Sequence, residues 1–431
     1  MGTHWSATTN PVWRNPHVGL TGRLPAAASS RPGLRAHPRF VTVVAGEGLS
    51  MLGDSAFDIA LAWMVLHETG SVAALAGVML AQAVPRGLLL LLGGAITDRM
   101  SARRVMLAAH VVRAVTMAVL AALVISGSVQ MWHLYVVAVV TGITAAMFTP
   151  ASESVLPHLL PEAAYARGNA AQGFLEQVSY LLGPVIGAGL IVLGGAGAAI
   201  AANALTFAVA ACTVRSVPRG AHVEGDSSAG IVADIKVGLA HAWRSHETRL
   251  VLLIVAAATL SYSGLFAVGL PTLAASWTSS PWALSVLVSA WGAGQLIGTA
   301  AAAVTGLPDR WGLLIIGMTL AEGSAFALLG HTPSAWVAAA ILVPLGIGVA
   351  YSSDVALPTF IQTRTPKHLL GRISALLGLP RVVLEPLSIA VLGAALHRSI
   401  AWGFALAAVP VLVLGLYLLA DPVARGLRAD A

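Results

Sequence analysis

The feature that most constrains this chain is a series of twelve apolar stretches, each long enough to cross a lipid bilayer as a helix. A spanning helix needs about 20 mostly apolar residues. Long runs that alternate between apolar and polar residues are absent from the sequence, so helices are the predicted spanning elements. The stretches lie at residues 39–66, 72–97, 104–126, 131–156, 166–193, 197–215, 249–276, 281–305, 312–330, 334–362, 369–396 and 399–420.

The composition agrees with a chain that lies mostly in lipid. Charged residues make up 10% and hydrophobic residues 57%, whereas a soluble globular protein carries roughly 25% charged residues. So few charges could not cover a surface exposed to water, which excludes a soluble enzyme and a disordered protein. The single cysteine, Cys212, allows neither an internal disulfide nor a zinc cluster.

The basic residues predict the orientation. Of the 24 Lys and Arg residues, Arg398 alone falls in the loops on one side, and Arg86, Arg113 and Arg381 fall within spans. All the others lie in the two tails and in the loops on the opposite side. Cytoplasmic loops carry the excess of Lys and Arg, so both termini are predicted to lie in the cytoplasm of a multi-pass protein of the cell inner membrane. The net charge of +6 then reflects topology and predicts no nucleic-acid partner.

A polar stretch divides the spans into two groups of six. Residues 1–38 are predicted to be a disordered cytoplasmic tail, 39–215 an N-terminal six-helix bundle, 216–248 a cytoplasmic linker with an amphipathic helix, 249–421 a C-terminal six-helix bundle and 422–431 a cytoplasmic tail. The halves echo each other, because Asp98-Arg99 between spans 2 and 3 recurs as Asp309-Arg310 between spans 8 and 9. Repeated halves of this kind are typical of one class of secondary transporter.

The loop between spans 2 and 3 carries the clearest motif. It contains Gly94, Asp98, Arg99, Arg103 and Arg104, and its second copy contains Asp309, Arg310 and Gly312. In this pattern the chain resembles the Major Facilitator Superfamily over residues 39–421, although Ser101 and Ala102 depart from the family's loop. The loop is predicted to act as a cytoplasmic latch, in which Asp98 approaches a helix N-terminus of the other half and pairs with Arg. The alternative is a basic loop that only sets the topology.

A second motif lies in span 5. Gly183, Pro184 and Gly187 are similar to the fifth-span motif of drug/proton antiporters, with Ser179 and Ala188 in place of two further glycines. Several shorter segments, including Leu52-Gly53-Asp54 and Thr149-Pro150-Ala151, resemble the bacterial enterobactin-exporter-like and transmembrane secretion effector branch of drug efflux proteins.

The resemblance implies an all-α fold of two pseudo-symmetric six-helix bundles and rocker-switch alternating access. It implies proton-coupled efflux of a small amphipathic compound, such as a drug, a siderophore or a secondary metabolite. We expect the protein to function as a monomer and to need no cofactor beyond the proton gradient. Proton-coupled uptake of a nutrient or lipid-like solute is an alternative, and a non-transporting membrane sensor on the same fold is another. No phosphate-binding loop, metal motif or nucleophile motif predicts an enzyme.

Three acids in span 1, Glu47, Asp54 and Asp58, fall on one face of a helix. Asp54 lies about 22 Å along the helix from residue 39, past the middle of the membrane. Intramembrane acids usually face a wet cavity or a charged partner. Asp54 and Asp58 are therefore candidates for proton coupling or for anchoring a cationic substrate. The alternative is a static pair in which Arg86 or Arg113 meets Glu47 or Asp54.

Other polar residues within spans are predicted to line the central cavity. Span 5 carries a stripe formed by Gln172, Glu176 and Tyr180, and span 8 contributes Trp291 and Gln295. In span 11, Arg381 and Glu385 have the spacing of an intrahelical ion pair, or of a pair that opens during transport.

Three further polar residues have less specific patterns. Asp354 in span 10 is predicted either to face the latch loop or to cap a local break. His110 is expected to be a packed histidine. Glu322 is expected to face a groove between outer helices in a structural role.

Overall fold

A computed structural model describes residues 34–99, 101–161, 164–217, 245–306, 310–357 and 370–427. Regular structure in these ranges is helical. The predicted N-terminal tail before residue 34 and most of the predicted linker, with its amphipathic helix, lie outside the described residues.

The long helices follow the apolar stretches closely. Two short helices and π-helical turns interrupt or extend them, and Gly195, at φ 74°, breaks the fifth helix. The helices are α1 Pro38–Thr69, α2 Val72–Arg99, α3 Ala102–Ile125, α4 Met131–Glu153, a turn at Leu156–Leu159, α5 Tyr165–Val214, α6 His246–Gly264, α7 Leu270–Trp277, α8 Trp282–Thr305, α9 Trp311–Leu329, α10 Ala335–Val349, α11 Leu370–Arg398, α12 Ile400–Ala420 and α13 Pro422–Gly426.

Ten helices in the described ranges are long and apolar enough to cross a membrane. One of them, Arg167–Val214, reverses at Gly195, where a positive φ favours glycine, and therefore crosses twice. Leu370–Arg398 adds the remaining crossing. The prediction of twelve spanning helices is thereby confirmed. A π-helical turn, Leu265–Gly269, joins α6 to α7 within one span, and a second, Ala350–Ala356, extends α10.

Small residues bring helices together within the N-terminal bundle. A Cβ at Gly53 of α1 would collide with the Asn203 and Thr206 side chains in the second arm of α5. A Cβ at Gly187, in the first arm, would lie 2.6 Å from the backbone oxygen of Ala56. Because glycine lets two helix backbones approach closely, α1 is held between the two arms of α5.

The two bundles meet along α5 with α8 and along α2 with α11. The Ser285 hydroxyl donates to the Pro184 carbonyl at 2.7 Å, and the Ser289 hydroxyl donates to the Leu181 carbonyl at 2.7 Å. The indole N–H of Trp63 donates to the Ser279 carbonyl at 2.8 Å. These contacts lie toward the side of the membrane where α1 ends, away from the side where α1 begins and α12 ends, which we call the termini side. Toward the termini side, Gly173 of α5 faces open space.

At the termini side, Asp421 joins the last helices to α6. Its carboxylate accepts hydrogen bonds from the backbone N–H groups of Val423 and Ala424, at 2.8 and 3.1 Å, and contacts His246 Nε2 at 2.7 Å. Partial desolvation of this carboxylate acts to raise its pKa. Hydrogen bonds from Ala424, His246 and Val423 outweigh that effect and hold the pKa of Asp421 below its ordinary value.

We expect Asp421→Asn to lower the free energy of unfolding by about 0.5 kcal/mol at neutral pH, because asparagine keeps the N-cap acceptor but loses the negative charge beside His246 and the helix N-terminus. Because the folded-state pKa is depressed, this stabilisation is present above the ordinary carboxyl pKa and is lost as the pH falls through the folded-state value. Thermal unfolding in detergent should therefore separate the two proteins at pH 7 and bring them together in strong acid. A constant difference at every pH would contradict the role of the charge.

Candidate functional site

A polar cluster lies inside the N-terminal bundle. His110 of α3 is fully buried, and its Nε2 lies 3.0 Å from Glu47 Oε1 of α1. Asn203 Nδ2 donates to Asp54 Oδ1 at 3.4 Å. Arg113, also on α3, lies within electrostatic range of Asp54 and Glu47. His110 is therefore packed, as predicted, and it is also a partner of an acid.

Aromatic and hydroxyl side chains hold Arg113 in place. Its Nε donates to Thr144 Oγ1 at 3.0 Å. The guanidinium carbon lies 5.2 Å from the ring centre of Phe148 and 5.5 Å from that of Phe207. A cation over aromatic faces gains electrostatic attraction, and the gain is larger where water is excluded. The cluster fixes Arg113 opposite the span-1 acids.

Of the two arginines that were alternatives as partners of the span-1 acids, Arg113 lies within electrostatic range of Asp54 and Glu47. Arg86 Nη2 binds Glu385 Oε2 of the other bundle at 3.1 Å. The expected intrahelical partner of Glu385 was Arg381, whose side chain lies outside the described residues. A carboxylate binds whichever cation the fold brings nearest, and helical spacing does not show which helix lies opposite.

Asp58 completes a set of three charges that we call the charge bridge: Asp58 of α1, Arg86 of α2 and Glu385 of α11. Asp58 is exposed and lies within electrostatic range of Arg86. The Arg86 side chain is 43% exposed and that of Glu385 is 18% exposed, so the charge bridge is partly accessible from outside the protein. Gly87 permits this approach, because a Cβ there would lie 2.7 Å from the Val382 carbonyl oxygen.

The other predicted cavity residues are divided between exposed and buried positions. On α5, Glu176 and Tyr180 are exposed and Gln172 is half-buried, so the stripe faces accessible space. On α8, Trp291 and Gln295 are buried. The Trp291 ring packs against Tyr262 and Phe266, at 5.6 and 5.1 Å between ring centres.

The antiporter-like motif occupies a junction. A Cβ at Gly183 would collide with Ser55, and Gly187 packs on Ala56, so both glycines serve contact with α1. Between these two glycines, the Pro184 carbonyl accepts a hydrogen bond from the Ser285 hydroxyl of the other bundle. The motif therefore positions α1 and the seam between the bundles together.

The latch loop is described in part. Several of its residues lie outside the described residues: the surroundings of Gly94, the side chains of Asp98, Arg99 and Asp354, and the segment containing Asp309. Arg103 donates to the Arg215 carbonyl at 3.3 Å, whereas Arg104 and Arg310 are exposed. The Gly312 N–H donates to the Leu427 carbonyl at 3.2 Å, so this glycine supports the packing of α13.

Arg113 provides a test of the buried cluster. We expect Arg113→Gln to lower the free energy of unfolding by about 3 kcal/mol, because it leaves Asp54 and Glu47 without the cation. The double variant Asp54→Asn/Arg113→Gln should recover part of that loss, as measured by thermal unfolding in detergent. Additive losses would contradict a direct interaction between the two side chains.

The fold and these charges define a twelve-helix membrane protein of two bundles with charged groups between them. Residues 43–380 match the family model of the Major Facilitator Superfamily, and the chain belongs to that family. Members of this family are transporters, so the prediction that the protein is not an enzyme is confirmed.

Among curated proteins the chain is similar to "Multidrug efflux pump Tap" of Mycolicibacterium fortuitum, with 27% identity over 87% of this chain and 92% of that protein. It is similar to "Macrolide efflux protein A" of Streptococcus pyogenes, with 23% identity over 79% of this chain and 85% of that protein. Solved structures of the nucleoside transporter NupG and of a D-xylose-proton symporter share the fold. Their TM-scores are 0.66 and 0.65 at 13% and 15% identity, and the matches cover 89% and 91% of this chain and 98% and 100% of theirs.

Proposed function

We propose that the protein exports a small amphipathic compound in exchange for protons. The observation that carries this proposal is the charge bridge, in which Arg86 lies between an exposed acid of its own bundle and Glu385 of the other. A charge within the membrane costs free energy. An ion pair between the bundles can offset that cost and still serve transport, because it forms in one conformation and breaks when the bundles move relative to each other. The names of two relatives, a multidrug pump and a macrolide efflux protein, support export.

The proposed orientation places both termini in the cytoplasm of the inner membrane, as the basic loops favour. We propose that this conformation is closed toward the outside by the seam at Ser285, Ser289 and Trp63, and that the exposed Glu176 marks the entrance from the cytoplasm. An amphipathic compound enters between the bundles from that side. We expect the exposed stripe on α5 to contact it.

Proton coupling follows from competition for Arg86. When Asp58 carries a proton, Arg86 interacts with Glu385 alone, and the ion pair holds α2 against α11. When Asp58 loses its proton, its charge draws Arg86 away, and the contact between the bundles weakens. Binding and release of one proton thereby change the relative stability of the two conformations, which is what exchange requires. Asp54, paired with Asn203 and near Arg113, keeps α1 in position.

The test is a proton-flux assay in energised everted vesicles with a pH-sensitive dye. Erythromycin, ethidium and a siderophore are added in turn, and Asp58→Asn vesicles with equal protein content serve as the comparison. We expect proton release that depends on the compound and is lost in Asp58→Asn. Release unchanged in Asp58→Asn would remove this acid from the mechanism. Accumulation of a compound by intact cells, with no release in vesicles, would instead favour uptake.

A further inference from the structure

The C-terminal bundle contains an acid that the charge bridge does not use. Glu322 lies near the middle of α9 and is 5% exposed. The sequence suggested a groove between outer helices, but the structure turns this carboxyl inward, against the hydroxyl of Tyr262 on α6.

The surroundings of Glu322 hold no cation among the described residues. Tyr262 is the side chain that binds it. Helix α10 carries no ionisable residue, and α12 carries Tyr417 alone, beyond the Leu412 side chain that packs at Gly323. Helix α8 carries none. A buried carboxylate without a cation is strongly disfavoured, whereas the neutral acid with one hydrogen bond is tolerated.

An irregular turn lies next to this acid. Tyr262 precedes the π-helical turn Leu265–Gly269, and its ring packs on Phe326 and Phe266, at 4.9 and 5.8 Å between centres. Single π-helical turns inside α-helices are frequent at functional sites, because the extra residue allows the helix to change register locally. A change in this turn would move the Tyr262 ring away from Glu322.

The turn is tied to the helix that carries the charge bridge. Ser388 Oγ of α11 accepts a hydrogen bond from the Gly264 N–H at 2.9 Å and donates to the Leu260 carbonyl at 2.6 Å. Ser388 lies one helical turn from Glu385. The contacts therefore run from Glu322 through Tyr262 and the π-helical turn to the helix that pairs with Arg86.

We propose that Glu322 is a second proton-binding site, sealed by Tyr262 in this conformation and opened by movement of the π-helical turn. The inference rests on the proposed proton-coupled transport and extends it to the C-terminal bundle. A proton held there is released when α11 moves away from α2, because Ser388 then shifts the turn. The ligand is the proton itself, bound as the neutral carboxylic acid.

The test uses the full chain in lipid at neutral pH and needs no transported compound, so its failure is distinct from a failure of the proposed function. Infrared spectra report the carbonyl band of a protonated carboxylic acid, and transfer to D2O shifts this band as the proton exchanges. We expect Glu322→Gln to remove one such band. Glu68→Gln, at an exposed position of α1, should remove none. Retention of every band in Glu322→Gln would overturn the proposal.

The seal is tested by the rate of exchange. Tyr262→Phe and Ser388→Ala should keep the Glu322 band and speed its shift in D2O by up to about tenfold, the equivalent of one lost hydrogen bond. Ser324→Ala, which changes an exposed hydroxyl of α9, should leave the rate unchanged. A band that shifts at once in the unmodified protein, or at one rate in all these variants, would overturn the sealed site.

Discussion

Replacing Arg86 with glutamine should reduce proton-driven export by about tenfold to a hundredfold while leaving the protein folded in the membrane. The expected loss exceeds that of a surface ion pair, because Asp58 and Glu385 would lose the cation between them, and each acid would either remain charged without a partner or bind a proton permanently. The measurement is the initial rate of efflux of erythromycin or ethidium from energised vesicles, corrected for the amount of protein. Arg398→Gln, at an exposed position of the same α11 that carries Glu385, is the matched control and should transport normally.

Exchanging the charges of residues 86 and 385 tests whether Arg86 alternates between two acids or only holds Glu385. If Arg86 only held Glu385, then Arg86→Glu/Glu385→Arg would restore the ion pair and much of the transport. Because Asp58 also faces residue 86, the exchanged protein would place two acids together, and we expect transport to stay low. Adding Asp58→Asn to the exchange should restore contact between the bundles without restoring proton coupling. Full transport by the simple exchange would contradict competition for Arg86.

The second large effect is expected at Gly292, where α8 crosses α5. A Cβ at this position would lie 2.8 Å from backbone atoms of Tyr180 and Leu181, and backbone cannot move aside as a flexible side chain can. Overpacking costs about 1–3 kcal/mol, enough to shift an equilibrium about fivefold to a hundredfold. Gly292→Val should therefore force the seam open and stop transport by preventing closure.

The measurement is labelling of a cysteine at the seam. Ser285 is 1% exposed, so Ser285→Cys in a Cys212→Ser background should resist a membrane-impermeant maleimide added on the side opposite the termini. Gly292→Val should make that cysteine reactive. Gly189→Val is the control. Gly189 lies on α5, the helix that Gly292 of α8 contacts, but nothing lies within 4 Å of a Cβ at Gly189. Equal labelling in both valine variants would contradict the seam as the closed gate.

The sequence predicts much of the fold because each span depends on a local quantity, the length of an apolar run. It also predicts that Glu47, Asp54 and Asp58 share a face, since helical spacing fixes that. The partners are a different matter. Asn203 reaches Asp54 because α1 packs between the arms of α5. Thr144 reaches Arg113 because α4 packs against α3, and Glu385 meets Arg86 across 299 positions of chain. Such pairs depend on which helices become neighbours, and the periodicity of the sequence does not show which helices those are.

The reversal at Gly195 has a consequence for experiments on whole cells. Helices α1 and α2 are joined by Gly70 and Ser71 alone, the arms of α5 by a single residue, and α11 and α12 by Ser399. The surface opposite the termini therefore offers few segments for an antibody to grip or a protease to cut. We expect digestion from that surface to leave these hairpins intact, and binders selected against it to recognise helix ends and their short turns.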